Sequence, residues 1–283
     1  MKIAGLQKMT LLDYPGHVAC TVFLNGCDWR CPFCHNYELA EGKSPAVMDD
    51  TELLAFLAKR TGLLDGVAIT GGEPCLYKEL PDLFRRIRAL GYGIKLDTNG
   101  LHPELLRELL DENLVDYVAM DIKNSPAKYA VTAGVEAVDL EKVRESIGLL
   151  MKHYAERNAG LAEESTGDSE SAGDPESAGA VESAGAAESA GDPESAGEAE
   201  NDGAKQGFDF EFRTTVVKEF HKAVDFEEIG KFIEGAPHYF LQCFTDRDTV
   251  PFGNLHAPSK DDLTEYAAIA GKYVKHVGIR GVD

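Results

Sequence analysis

Three cysteines stand within eight residues, in the string Asn25-Gly26-Cys27-Asp28-Trp29-Arg30-Cys31-Pro32-Phe33-Cys34-His35-Asn36. Thiolates at this Cys-x3-Cys-x2-Cys spacing on one loop can face a single metal centre, and soft sulfur donors select iron-sulfur clusters, zinc or copper(I). A structural zinc site wants four protein ligands, commonly from two separated pairs, and the sequence holds no second Cys-x2-Cys and no His-x3-His. His35 follows Cys34 directly, and adjacent side chains are badly placed to complete one tetrahedron with two other thiolates. A cubane held by three cysteines leaves one iron open to a small molecule. Cys20, Cys75 and Cys243 are scattered and read as small buried hydrophobes, not as a second centre.

Further strings put polar residues where apolar runs end. Thr70-Gly71-Gly72-Glu73-Pro74 follows one run, and its Gly-Gly pair lets backbone approach a ligand without Cβ obstruction. Lys95-Leu96-Asp97-Thr98-Asn99-Gly100 and Met120-Asp121-Ile122-Lys123 end two more. Polar side chains at the C-terminal ends of barrel strands are poor core material and good ligand material. Each string also has a plainer role: a turn at Gly71-Gly72, loop bracing by Glu73, or a strand-end salt bridge of Asp121 with Lys123 or Arg213. Arg213 and Gln242 equally suit contact with a ligand or simple packing inside a barrel.

In order and spacing these strings resemble the signature of the radical S-adenosylmethionine superfamily. The resemblance implies that Cys27, Cys31 and Cys34 hold a 4Fe-4S cluster whose open iron chelates the cofactor's methionine moiety. It implies reductive cleavage of S-adenosylmethionine to a 5'-deoxyadenosyl radical, with no catalytic side chain beyond cluster and cofactor. Phe33 would then lie beside the adenine, and Gly71, Gly72 and Glu73 would contact the cofactor. Cys34-His35-Asn36 and the strings at Asp97 and Asp121 are similar to the activating enzymes of glycyl-radical proteins. By position this implies Asp97, Thr98 and Asp121 around a monovalent cation beside the cofactor carboxylate, with Lys123 next to the cofactor.

Gly5-Leu6-Gln7, Leu12-Asp13-Tyr14-Pro15-Gly16, Glu211 to Val217 and Leu241 to Phe244 are similar to the longer type of anaerobic ribonucleoside-triphosphate reductase activating protein. The implied substrate is one glycine of that reductase, and the implied electron donor is flavodoxin- or ferredoxin-like. Two other readings stay open: activation of another glycyl-radical enzyme such as the pyruvate formate-lyase type, or a small-molecule radical reaction; and, from a different class, a non-catalytic zinc-binding adaptor.

The elements that must position these residues follow from hydrophobic periodicity. Strands are expected at Ala19 to Leu24, Gly66 to Thr70, Gly93 to Thr98, Asp116 to Lys123, Phe208 to Val217 and Tyr239 to Phe244. Helices are expected at Asp50 to Arg60, Leu80 to Leu90, Pro103 to Glu112, Leu140 to Glu156, Asp225 to Ile233 and Lys260 to Val274, the last announced by Ser259 as N-cap. Six βα units in succession predict an α/β fold, a partial (β/α)6 TIM-like barrel of the radical SAM type with its functional loops at the strand C-termini.

The 283-residue chain can supply a core, with 43% apolar residues. Its net charge of -21 is uneven: residues 160 to 205 hold 13 acidic residues against one lysine. Within them runs GDSESAG-DPESAG-AVESAG-AAESAG-DPESAG, whose composition cannot bury enough apolar surface to offset its ordering entropy. The expectation is a single domain over 1–283 interrupted by a disordered Glu/Ser/Ala/Gly insertion at 160–206, at the barrel face opposite the chemistry. The acidic balance disfavours nucleic acid and anionic membrane as partners. No apolar stretch resembles a signal peptide or a membrane span, so a reducing, cytoplasmic setting is expected.

Overall fold

Ala19–Leu24 is buried along almost its whole length, as a parallel strand covered on both faces must be. The structure is a computed structural model that describes residues 1–164 and 207–282. Its strands are β1 (Lys2–Ile3), β2 (Gly5–Thr10), β3 (Ala19–Leu24), β4 (Met48–Asp49), β5 (Gly66–Gly71), β6 (Gly93–Thr98), β7 (Tyr117–Asp121), β8 (Asp209–Val216), β9 (His238–Cys243) and β10 (His276–Arg280). Its helices are α1 (Tyr37–Ala40), α2 (Asp50–Ala58), α3 (Leu80–Arg88), α4 (Pro103–Asp111), α5 (Tyr129–Ala133), α6 (Leu140–Glu164), α7 (Ala223–Phe232) and α8 (Lys260–Ala270). All six expected strands are present, with ends within two residues of expectation.

One sheet of eight strands runs in the order β10-β9-β8-β7-β6-β5-β3-β2, parallel throughout except for β2, which pairs antiparallel with β3. The sheet is curled. Ala19 of β3 and Tyr117 and Ala119 of β7 have two strands, β5 and β6, between them in the order, yet with Tyr14 they form one buried cluster. Only an interior shared across a barrel brings them together. Tyr14, from the loop between β2 and β3, sets its ring 6.2 Å from that of Tyr117 and so fills the lower end. The main apolar core lies outside the barrel wall, where Val22, Ile69, Leu96, Val118 and Phe212 meet helix residues such as Leu53, Phe84, Leu109, Ile147 and Ile229. This division leaves the barrel interior free for small and polar side chains.

Three features differ from expectation. β10 adds a seventh parallel strand, and β2 extends the other edge; neither shows a clean period, since β10 is mostly half-exposed and β2 exposes Gln7, Lys8 and Met9. α6 runs on to Glu164, because the Ala-, Leu- and Glu-rich stretch that opens the acidic segment has good helix propensity. The rest of the expected disordered insertion, 165–206, lies outside the described residues. Its flanks are at the lower end of the barrel, where Asn158 of α6 donates from Nδ2 to the Phe208 carbonyl at 2.9 Å. Among the described residues no helix is long and apolar enough to cross a membrane.

Candidate functional site

The cysteine loop leaves the C-terminal end of β3 and is clamped from two sides. On one side, Gly72 N donates to Leu24 O at 2.8 Å and Glu73 N to Gly26 O at 2.7 Å. A Cβ on Gly71 would lie 2.4 Å from Leu24 backbone atoms, and one on Gly72 only 1.9 Å from Gly26 O. The paired glycines thus have a packing reason of their own, since two backbones cross there without room for a side chain. On the other side, Arg30 N donates to Ala133 O at 2.9 Å, and Gly134 ends α5 in the left-handed region at φ 69°. A Cβ on Gly134 would fall 2.0 Å from Arg30 O.

Glu73 is fully buried and acts as the keystone of the next two loops. Its Oε1 accepts from Cys75 N at 2.9 Å and from the Thr98 hydroxyl at 2.8 Å, and its Oε2 accepts from Asn99 N at 2.6 Å. Burial pushes its carboxyl up, against the pull of these three donors. Thr98 in turn accepts from Gly100 N at 3.1 Å.

Above these loops opens a cavity of about 370 Å³, within the range of small-molecule sites. Every residue singled out from the sequence lines it: Cys27, Cys31 and Cys34; Phe33, Gly71, Gly72 and Glu73; Asp97 and Thr98; Asp121 and Lys123. Arg213 and Gln242 do so as well. The three cysteines are free thiols, and burial pushes Cys27 up to about 12 and Cys31 up to about 11, with Cys34 raised too. Loading them with metal must therefore displace protons.

One wall is ionic. Asp97 Oδ1 pairs with Lys95 Nζ at 2.5 Å and its Oδ2 with Arg213 Nη2 at 3.4 Å; Asp121 Oδ1 pairs with Arg213 Nε at 2.5 Å and its Oδ2 with Lys123 Nζ at 2.7 Å. For Asp97 and Asp121 burial alone would raise the carboxyls, but Arg213 and the neighbouring lysines outweigh it and hold both below the usual range. All four carboxylate oxygens already face a cation of the chain. Asp97 and Asp121, expected around a monovalent cation, are thus ion-paired within the chain, and the Thr98 hydroxyl donates to Glu73.

A radical SAM superfamily model matches residues 21–158, which span the cysteine loop and the strands through β7. A Methanocaldococcus jannaschii protein named as a candidate glycyl-radical enzyme activating enzyme is 27% identical over 99% of this chain and 96% of its own length. Residues 21–158 carry the radical S-adenosylmethionine superfamily sequence. The pyruvate formate-lyase-activating enzyme of Clostridium pasteurianum is 33% identical over 44% of this chain and 52% of its own length. Among solved structures, Streptococcus suis SuiB bound to S-adenosylmethionine superposes with a TM-score of 0.55 at 12% identity, covering 92% of this chain. The chain spans 52% of SuiB's length.

As a radical SAM oxidoreductase the protein works with a 4Fe-4S cluster and S-adenosylmethionine, and the donor set fits both. Three soft thiols border one cavity with polar and aromatic walls. A cubane takes one iron per thiolate, so its ligands stand farther apart than those of one ion; among the described residues no three His, Cys, Asp or Glu close around a single ion. His35, next to Cys34 and also on the cavity wall, is engaged by the segment after β9: its Nε2 meets Thr245 O at 2.7 Å and its ring stacks on Phe244. That bond ties the cysteine loop to the segment after β9, across the barrel mouth.

Several residues that line the cavity were not singled out as site residues from the sequence. Trp29 is buried on the cavity wall, Asn99 points its Nδ2 toward Cys27 Sγ at 4.0 Å, and Asp13 enters from the lower loop to accept from the Thr21 hydroxyl at 2.5 Å. Trp29 and Asn99 adjoin residues already singled out, so adjacency was their available signal. Arg247, from the segment after β9, also lines the cavity and carried no sequence signal.

Proposed function

We propose that the protein is an activase that generates a glycyl radical on anaerobic ribonucleoside-triphosphate reductase. The observation that carries this reading is where the reductase-activating strings fall. Asp13, Arg213, Thr215 and Gln242 come from three separate segments, and all line the cavity that holds the three cysteines. The near full-length match to a glycyl-radical activating relative supports the broader class.

In this reading Cys27, Cys31 and Cys34 hold the cluster, the Gly71-Gly72 backbone and Phe33 border the cofactor, and Glu73 braces the loops beneath. A cluster and cofactor held there would supply reductive cleavage of S-adenosylmethionine, using one electron from the external donor and releasing methionine, and hydrogen-atom abstraction from the partner's glycine, giving 5'-deoxyadenosine. Trp29, Phe33 and the closed lower end at Tyr14 exclude water around that chemistry. Thr215 and exposed Gln242, on the far wall, offer hydrogen bonds to an extended peptide backbone entering the mouth. The reading calls for a flavodoxin- or ferredoxin-like electron donor and a reducing cytoplasm.

The test is anaerobic reconstitution of wild type and Cys31→Ala, with dithionite as reductant. Wild type is expected to form 5'-deoxyadenosine and a glycyl radical signal by electron paramagnetic resonance on added purified reductase; the variant is expected to form neither. A radical on pyruvate formate-lyase and none on the reductase would favour the second reading, which the Clostridium relative supports. A fully loaded wild type that forms no 5'-deoxyadenosine would overturn both.

A further inference from the structure

We infer that Asn99 is a hydrogen-bond donor to the Cys27 thiolate and, acting through that ligand, raises the reduction potential of the bound cluster. The inference rests on the radical SAM reading of the three cysteines and is independent of which partner the protein acts on. It starts from a side-chain amide held in one orientation. Asn99 Oδ1 accepts from Leu101 N at 2.8 Å, so its NH2 group must face the other way. There Nδ2 lies 3.5 Å from Asp28 Oδ2 and 4.0 Å from Cys27 Sγ, one acceptor for each of its two hydrogens. Asn99 N is itself held by Glu73 Oε2 at 2.6 Å, and only 5% of the residue is exposed. Glu73 and Leu101 therefore fix the amide from its own loop, while Asp28 receives it from the cysteine loop.

The surroundings of Cys27 strengthen the case. Trp29 N donates to the same Sγ at 3.4 Å, so this sulfur faces two N–H groups. Among the described residues Asn99 is the one side chain that brings an N–H to any of the three cluster cysteines. Asp28 Oδ2 also takes His102 Nε2 at 2.9 Å, which holds the carboxylate in place as the second acceptor of the amide. The 4.0 Å contact is that of a free thiol. Binding iron removes the thiol proton, and a thiolate is the stronger acceptor, toward which charge-assisted donors lie closer than toward neutral ones. One electron taken from the external donor adds negative charge that the cysteine sulfurs share. N–H donors on sulfur favour that reduced form, and hydrogen bonds to the sulfurs are among the groups that set the potential. Asn99 thereby lets a donor of given strength reduce more of the protein.

The test is a redox titration of the reconstituted protein followed by electron paramagnetic resonance, without S-adenosylmethionine or partner, so that it reads a potential and not turnover. At a poise fixed at the wild-type midpoint, Asn99→Ala is expected to show a reduced-to-oxidised ratio about tenfold lower, a fall of about 59 mV for a one-electron couple. Asn99→Asp keeps the shape and the acceptor for Leu101 N but loses the NH2 group, and it is expected to fall at least as far. Gly134→Ala strains the same loop without touching a sulfur. Whatever cluster it loads is expected to titrate like wild type. A wild-type or higher potential in both Asn99 variants would overturn the inference. So would an equal fall in Gly134→Ala, which would assign the shift to the loop, and so would failure of both Asn99 variants to load a cluster, which would make Asn99 a brace. A wild type that loads no four-iron cluster would instead count against the radical SAM reading.

Discussion

Glu73 separates bracing from ligand contact. Its two oxygens take three donors from the β5 and β6 loops, and no part of the side chain is exposed. Glu73→Gln keeps the shape but puts an amide NH2 against one of those donors, and an unmade buried bond of this kind costs about 1–3 kcal/mol. Urea unfolding of the cluster-free variant is expected to show that loss. Unchanged stability together with weaker cofactor binding would make Glu73 a ligand contact and not a brace. The same residue illustrates what a sequence can give. Its place after a Gly-Gly pair marked it as part of the site, but two of its partners, the Thr98 hydroxyl and Asn99 N, come from the end of β6, a meeting that no local pattern encodes.

At the scale of elements, the cysteine loop is rigid because β5 on one side and α5 on the other hold it by backbone. The α5 contact is outside every recognisable motif. Gly134→Ala combines a φ of 69° with a Cβ 2.0 Å from Arg30 O, and left-handed strain alone costs about 1–3 kcal/mol. Gly91, at φ 87° with nothing near its Cβ, supplies the control. Both alanine variants are expected to melt earlier, and only Gly134→Ala is expected to bind less iron after reconstitution. Equal iron in the two would deny α5 a part in holding the loop. The six buried parallel strands and the helices between them were legible because apolar runs and three-to-four spacing survive on any chain that packs both faces. β2 and β10 were not, since an edge strand with a half-solvated face needs no apolar period. Ionic pairing followed the same divide. Asp121 with Lys123 or Arg213 was anticipated, whereas Arg213 reaching Asp97 as well depends on the β6-β7-β8 register, which only the sheet fixes.

Along the sequence the negative charge is concentrated in one segment. Residues 160–205 hold 13 acidic residues and one lysine of a chain whose net charge is -21, while on one wall of the cavity Asp97 and Asp121 are paired with Lys95, Lys123 and Arg213. On either side of that segment, Asn158 and Phe208 meet at the lower barrel end. Chain ends already held together make a long insertion cheap, because closure entropy rises only with the logarithm of loop length. A variant in which a short Gly-Ser linker replaces 165–206 is therefore expected to keep wild-type melting temperature, 5'-deoxyadenosine yield and partner radical yield. Comparing that yield at low salt and at about 0.15 M, where the screening length falls to about 8 Å, tests for electrostatic steering by the acidic repeat. Loss of partner radical with cofactor cleavage intact would give the repeat a docking role on the reductase. Loss of cleavage itself would mean that the lower end of the barrel, and not only its mouth, governs the chemistry.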